Sequence, residues 1–528
     1  VSARALAPGA RDVTLPAVVL GSSVVFLDSS IVNVALDAIG RDLPTTVLGK
    51  LEGLTYVTSG YLATLAALLI LAGALGDRYG RRRLFRIGLA GFGVASLACG
   101  AAPTMEVLVV SRLVQGAMGA LLVPGALAII TARWDGEARG RAIGIWASST
   151  SAIIIVGPLI GGLFVQALSW RLAFAINVPV VILAWLLLGR VAESRDEEAT
   201  GRFDWLGAAV VGIGVGGLAF GATRGQQSGW TDTTAFIAIG VGLAALIAFP
   251  FLMVSRRDPL VPPDLFRSRA FSVINGSTFV IYGALYMNLA FQQLFYQGVL
   301  GYTPLAAAMA VLPSGVLLVL LSTRTGRLAG RLGARSFLTV GPSLMATGAL
   351  LLARAPSTST AWLASPSDPS TLLPPTAYLV DVLPAQLVYG TGLAIMVAPL
   401  STALMASVPT RRAGLASAIN NAVSRAGAPL VGALLFIAVS AVFYPVLASL
   451  VPGLDTSSPA VREAVQPLTM PDPSVGPSVV QAAQEASTTA FHLAMVVVAL
   501  LLASGAAINW FGLRARSPAP TVESPEPG

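Results

Sequence analysis

The sequence predicts an all-α polytopic membrane protein, and three observations carry that prediction. Of 528 residues, 55% are hydrophobic and only 11% are charged, against roughly 25% charged in an ordinary soluble protein. The apolar runs reach about 20 residues, the length of a helix that crosses a bilayer. Most of the arginines fall in short segments between those runs, the pattern that orients membrane helices. Lipid admits only helices or closed barrels, and these runs are too long for barrel strands. The net charge of +8 is accounted for by the inter-helix arginines, so it implies no nucleic-acid partner. The single cysteine, Cys99, excludes a disulfide framework or thiolate metal site and reads as a small lipid-facing or packed residue.

Taken in order, hydropathy places fourteen spans. The first six lie at 15–36, 53–75, 84–103, 106–130, 142–167 and 172–189. Two follow at 204–223 and 234–254, and the last six at 270–298, 304–323, 336–354, 379–405, 413–440 and 488–511. With the N-terminus in the cytoplasm, the arginine clusters at 78–86, 133–141, 190–202, 256–269, 324–335, 411–412 and 514–516 all fall on the inside. One helix more or fewer would scramble that bias, so both termini are expected to be cytoplasmic. The N-terminus reads as a start and anchor, not as a cleaved signal. Trp170 and Trp230 at outer ends, and Trp205 and Trp510 at inner ends, read as interfacial anchors. The expected organisation is a cytoplasmic N-terminus (1–14), a bundle of six helices (15–190), two extra helices (203–254), a second bundle of six (270–512) and a disordered Pro- and Glu-rich cytoplasmic tail (513–528). Segments 356–378 and 444–487 read as solvated outside loops, the second with a helical piece near 459–465.

Polar residues inside the spans are the candidate functional groups. Asp28 lies in the first span, where a charge costs at least a few kcal/mol, so it must be partnered or used. Arg112, permanently charged in the fourth span, needs partners too. Asp28 is the obvious one, and an arginine held only by backbone carbonyls is the alternative. In the ninth span Asn288, Gln292 and Tyr296 recur at i, i+4 and i+8, with Tyr282, Tyr286, Gln293 and Gln297 on adjacent faces. Such a stripe either holds ligands, by stacking and cation–π contact, or hydrogen-bonds between helices. Gln386 and Tyr389 in the twelfth span have the same two readings. His492, the only histidine, reads as a packing residue. Gly157-Pro158-x-x-Gly161-Gly162 removes a helix hydrogen bond and allows close approach, so that helix can bend or slide.

The stretch 73–83, GALGDRYGRRR, follows the second span. Its glycines permit a tight turn against a neighbouring helix, and Asp77 suits the positive end of a helix dipole. A weaker copy at 326–335, GRLAGRLGAR, follows the tenth span, as two parallel halves would produce.

GALGDRYGRRR resembles the loop motif of the major facilitator superfamily. RLVQGAMGA at 112–120 resembles its fourth-helix motif with a buried arginine, and GPLIGG at 157–162 the fifth-helix motif typical of antiporters. The stretches 28–36, 170–179 (WRLAFAINVP) and 414–421 (GLASAINN) are similar to the fourteen-helix drug:proton antiporter branch. The resemblance implies the major facilitator fold, two bundles of six helices plus two extra central helices. It implies a proton-coupled antiporter, not an enzyme, exporting small amphipathic or hydrophobic drugs, dyes and antibiotics by alternating access. It further implies no cofactor beyond the proton gradient, contact with membrane lipids, and a monomer in a bacterial inner membrane. It assigns proton coupling to Asp28 and Arg112, and conformational roles to Gly73, Gly76, Asp77, Arg78, Gly80 and Arg81 and to Gly157, Pro158, Gly161 and Gly162. Expected substrate contacts are Asn33, Tyr286, Asn288, Gln292, Tyr296, Gln386 and Tyr389.

One departure bears on substrate. Members that export multivalent cations often carry further acids in the C-terminal half. Here the thirteenth span offers Asn420, Asn421 and Arg425, and Asp381 lies near the outer end of the twelfth, which argues against dications. A dedicated exporter of a self-made metabolite and a lipid transporter remain alternatives. An importer by proton symport is disfavoured by the fifth-helix motif. A membrane enzyme or receptor would need a catalytic cluster, a nucleotide loop or a soluble domain, and the sequence offers none.

Overall fold

The computed structural model describes residues 12–46, 50–167, 169–195, 203–227, 232–365, 368–471 and 475–513. The N-terminal half comprises α1 (Thr14–Asp42), α2 (Lys50–Tyr79), α3 (Arg81–Gly100), α4 (Met105–Gly119), α5 (Leu122–Arg133), α6 (Gly136–Ala167), α7 (Leu172–Ala175) and α8 (Asn177–Leu188). A hairpin of α9 (Trp205–Gln227) and α10 (Thr233–Ser255) follows. The C-terminal half comprises α11 (Arg269–Leu294), α12 (Pro304–Leu332), α13 (Arg335–Leu352), α14 (Thr376–Asp381), α15 (Leu383–Ala406), α16 (Ala413–Leu450), α17 (Pro459–Ala464) and α18 (Pro477–Gly512). No β-strand occurs among the described residues.

The fold is all-α and polytopic. Against the fourteen spans expected, eleven described segments are long and apolar enough to cross a membrane, with α4 and α5 forming one of them. Two further apolar helices are shorter, Leu172–Leu188 and Trp205–Gly221.

Local chemistry sets the helix ends. Thr104, Asp232, Ser268 and Thr303 accept backbone N–H bonds at the starts of α4, α10, α11 and α12, filling donors that a helix start leaves open. Pro304 sits in the first turn of α12, where its missing N–H costs nothing. Gly80 (φ 111°) and Gly333 (φ 88°) break the chain after α2 and α12, at a φ that other residues avoid.

Small residues set the packing between the halves. A Cβ on Gly73 of α2 would lie 2.5 Å from the Gly414 carbonyl oxygen of α16. A Cβ on Gly140 of α6 would lie 2.6 Å from the Gly326 carbonyl oxygen of α12. Both contacts lie at the arginine-rich end of the bundle. The hairpin α9–α10 packs through α9 against α2 and α16. Its lipid side is bare, with Ile247, Phe251 and Val254 well exposed.

Three sequence expectations need correction. Of the outside segments 356–378 and 444–487, the second is less loop than expected: α16 continues to Leu450 and α18 starts at Pro477. They are also less solvated. Trp362 and Tyr378 are buried, and the Tyr378 hydroxyl donates to the Ala310 carbonyl at 3.1 Å. Their aromatics occupy the space above α12 and exclude water from it. Trp170 is not an interfacial anchor. It is buried, and its Nε1 donates to the Asp42 carboxylate at the end of α1 at 2.9 Å. Trp205 and Trp510 are exposed, as anchors should be. Trp230 lies outside the described residues.

Candidate functional site

Asp28 sits at mid-length in α1 and is fully buried. Its carboxylate accepts from three donors. Arg112 Nη1 of α4 reaches Oδ2, Gln115 Nε2 reaches Oδ1 at 2.9 Å, and Asn177 Nδ2 of α8 reaches Oδ1 at 3.0 Å. Arg112 is satisfied in turn: Nε donates to the Val57 carbonyl of α2 at 2.9 Å and Nη1 to Gln115 Oε1 at 2.7 Å. Its guanidinium lies 4.0 Å from the centroid of the Tyr61 ring, a cation–π contact strengthened by the dry setting. Asn177 also donates to Ser96 Oγ at 3.0 Å, and Cys99 Sγ to Gln115 Oε1 at 3.5 Å.

Three helices, α1, α4 and α8, therefore meet at one carboxylate, α2 and α3 brace its partners from behind, and the three atoms bonded to it are donors. That shell fits the ionised acid, because a protonated carboxyl would need an acceptor. It also encloses the acid completely. Of the two readings of Arg112, the pair with Asp28 is present, and a backbone carbonyl supplements it.

The second cluster is the interlock at the arginine-rich end. The Asp77 carboxylate accepts from the backbone N–H of Gly414 at 3.1 Å and of Leu415 at 2.8 Å, in the first turn of α16. Free N–H groups at a helix start favour a negative charge. Arg81 bridges the same joint: Nε donates to Asp77 Oδ1 at 2.8 Å and Nη2 to the Thr410 and Arg411 carbonyls at 2.6 and 2.9 Å. The α3 start is capped by Glu193, which accepts from Arg82 N at 2.9 Å and Arg83 N at 3.0 Å. Arg78 lies 5.7 Å from the Tyr79 ring centroid. Of the motif glycines, Gly73 is needed for close approach and Gly80 for its φ. A Cβ on Gly76 would meet nothing within 4 Å, so that glycine is not required sterically.

The copy at 326–335 docks differently. Arg331 pairs with Glu137 near the start of α6 at 2.8 Å, and Arg327 approaches the same carboxylate at 3.9 Å. The Arg331 bond holds the Glu137 carboxyl below the usual glutamate range.

The remaining candidates divide. A Cβ on Gly157 would lie 1.9 Å from Ser30 Oγ, so α6 presses directly on α1. The side-chain positions of Asn33, Pro158, Gly161 and Gly162 lie outside the described residues. Gln386 Nε2 donates to Gln292 Oε1 at 2.8 Å and to the Tyr296 hydroxyl at 2.9 Å, and its own Oε1 accepts from Ser314 Oγ at 2.7 Å. These three candidates hydrogen-bond between helices, as the second reading of the stripe held. Asn288 and Tyr389 are buried, and the Tyr389 hydroxyl faces the Asn288 amide. Tyr286 is 36% exposed and sits edge-on to Tyr282. His492 bonds the Ala355 carbonyl at 2.9 Å, in keeping with a packing role. A separate apolar groove of about 640 Å³ runs between α2 and α9, and none of the candidate residues lines it.

Sequence reasoning missed Gln115, Asn177, Tyr61, Ser96 and Cys99. Gln115 and Asn177 carried a usable signal, since each is an uncharged polar residue in an apolar span and Gln115 lies at i+3 from Arg112. Tyr61 and Cys99 carried none, because both residue types are ordinary in membrane helices.

The family model described as Major Facilitator Superfamily matches residues 18–433. The chain belongs to the major facilitator superfamily. It is a membrane transporter, not an enzyme. It is 32% identical to the multidrug resistance protein Stp of Mycobacterium tuberculosis over 83% of this chain and 78% of that protein. It is 34% identical to the puromycin resistance protein pur8 of Streptomyces alboniger over 78% of each. In solved structures its fold resembles the human organic anion transporter MFSD10, with a TM-score of 0.56 over 93% of this chain and 99% of that one, at 16% identity. That last likeness concerns the fold alone. The buried arginine of α4 and the interlocked loop after α2 are thus found in a superfamily transporter, where both motifs had been expected.

Proposed function

We propose that this transporter is a proton-coupled antiporter of the fourteen-helix branch, exporting small amphipathic or hydrophobic compounds by alternating access. Its expected setting is a bacterial cytoplasmic membrane, with the arginine-rich end and both termini inside. The fourteen spans are the eleven long ones, the two shorter apolar helices and α6, arranged as bundles 15–190 and 270–512 with the pair 203–254 between them. The resistance names of Stp and pur8 support drugs and antibiotics as cargo.

The observation that carries the reading is the sealed shell around Asp28. Burial favours the neutral form of a carboxyl, and a nearby arginine favours the ionised one. A group pulled both ways exchanges protons when its surroundings alternate. In the state described, the Asp77–Arg81 interlock and the Glu137–Arg331 bridge hold the cytoplasmic ends together. Opening outward lets Asp28 take a proton, which frees Arg112 and loosens the five-helix junction. Opening inward lets it release that proton while cargo enters. At about 150 mV one charge carries roughly 3.5 kcal/mol, enough for a gradient of a few hundredfold.

The decisive experiment is transport in proteoliposomes with an imposed pH gradient and panels of dyes, antibiotics and lipids. Proton flux that rises with cargo supports antiport. Cargo movement indifferent to the gradient refutes it, and movement of lipid alone would favour a lipid transporter. A dedicated metabolite exporter, the reading favoured by relatives such as the tetracenomycin C resistance and export protein, would move one compound and ignore the rest.

A further inference from the structure

Arg425 is a guanidinium for which the proton-coupling shell has no use. It lies on α16, half-buried, and among the described residues it has no hydrogen bond and no ion pair. Its depth follows from the helix register. Gly73 of α2 meets Gly414 and Ala418 of α16 at the interlocked end. From there both helices run toward the opposite face. At 1.5 Å per residue, Tyr61 stands about 18 Å along α2 from Gly73, and Arg425 about 14 Å along α16 from the midpoint of its two contacts. Arg425 lies two turns beyond Ala418, on the same face of α16 that meets α2. It therefore faces the N-terminal half at nearly the level of the Asp28 shell, deep in the membrane, where an unpaired charge is expensive.

The charge balance at that level is uneven. Asp28 and Arg112 cancel each other, and each is enclosed by protein. Among the described residues Arg425 is left without a compensating charge, half-buried on the α16 face that meets α2. Asn421 lies one turn away on the same face and is also half-buried. Asn420, beside it, is committed inward, donating to Asn275 Oδ1 at 3.2 Å and to Thr278 Oγ1 at 2.9 Å. The face of α16 that carries Asn421 and Arg425 is thus polar and cationic, with the Asn421 amide donating back to the Ser417 carbonyl at 2.9 Å.

We propose that Arg425 is an anion-binding position in the translocation path, and that the exported class includes amphipathic carboxylates. This rests on the export reading above and narrows its substrate class. A guanidinium pairs with a carboxylate through two parallel N–H···O bonds, stronger than neutral ones, and its planar fork makes it selective for that shape. Supplying a counter-ion relieves a charge that no described residue pairs. An organic cation at the same position meets repulsion, and no acid among the described residues offsets it. An anion leaving a cell that is negative inside also moves down the membrane potential.

The test is equilibrium binding to the purified full-length protein in nanodiscs, with protein-free nanodiscs subtracted. The probes are pyrenebutyric acid, its methyl ester and a pyrenyl quaternary ammonium compound. Wild-type protein is expected to bind the acid at least tenfold more tightly than the ester, and the ammonium compound least. Arg425→Gln should cost the acid at least tenfold and the ester less than twofold. Arg425→Lys should retain part of the preference. Thermal melting of each variant checks that it is folded. Equal binding of acid and ester, tighter binding of the ammonium compound, or equal weakening of acid and ester by Arg425→Gln would overturn the proposal. Because binding needs no pH gradient, its result separates from that of transport. Intact acid preference with gradient-independent transport would leave this proposal standing and remove antiport.

Discussion

At the scale of single residues, Asp28 and Arg112 depend on each other. Removing one partner of a buried pair leaves the other charge uncompensated, at a cost of about 3–5 kcal/mol. Asp28→Leu should therefore lower the stability of the purified protein strongly, read as a fall in melting temperature. Asp28→Asn should be milder, because its amide oxygen still accepts from Arg112 Nη1. The Asn variant should insert and fold, yet drive no transport above background under a measured pH gradient. Wild-type rates in that variant would sink Asp28 as the proton site. The two charges were legible in sequence, because charge in an apolar span is rare and costly. Their neutral supporters were not. Tyr61 and Cys99 look like packing residues until α2, α3 and α4 are brought together, and hydrogen-bond partners are a property of three dimensions.

At the scale of elements, glycine decides how closely helices approach. Gly116 of α4 faces α2 so tightly that a Cβ would lie 2.4 Å from the Tyr61 carbonyl oxygen and 2.2 Å from Thr64 Oγ1. Gly116→Ala should push α4 from α2 and disturb Arg112 one turn away, for about 1–3 kcal/mol of overpacking strain. Reduced melting temperature together with reduced coupled transport is the expected pair of readouts. Gly76→Ala is the contrasting case. It belongs to the same motif as Gly73, but a Cβ there meets nothing, and alanine is the better helix former. Unchanged or slightly raised stability with intact transport is expected. A collapse of either would mean that Gly76 is needed close-packed in another conformation. The motif's pattern does not distinguish its glycines, since a sequence shows which residue is small but not which neighbour is near.

At the scale of the molecule, two charged contacts among the described residues reinforce the glycine packing that joins the halves at the arginine-rich end: Asp77 and Arg81 against α16, and Glu137 with Arg331. The second is exposed and responds to pH. Because pairing with Arg331 depresses the Glu137 carboxyl, the bridge contributes fully above the ordinary glutamate range. It is lost as pH falls through the depressed value. Acidification should thus release this contact and leave the Asp77 joint. Spin labels placed across the arginine-rich end should report an unchanged population from pH 7.5 down to the ordinary glutamate range and a growing separated one only below it. Glu137→Gln should show much of that separation already at pH 7.5 and little further change on acidification. Identical pH profiles in the two proteins would show that another group controls the opening.

The sequence by itself determined that this chain is a helical membrane protein, which loops carry its arginines, and that Asp28 and Arg112 are its anomalous charges. Hydrophobic length and the cost of charge in lipid act locally, so they are written along the chain. The tertiary structure decided which polar groups are spent. It turned Gln292, Tyr296 and Gln386 inward onto one another, drew Trp170 and the outside segments into the packed body, and left Arg425 without a partner among the described residues. Those outcomes depend on the approach of helices distant in sequence, where one small residue or one interposed side chain decides whether two groups meet. The same closeness made Asp28 more than an acid in an apolar span, because only when α4 and α8 converge on α1 does its carboxylate acquire its three donors.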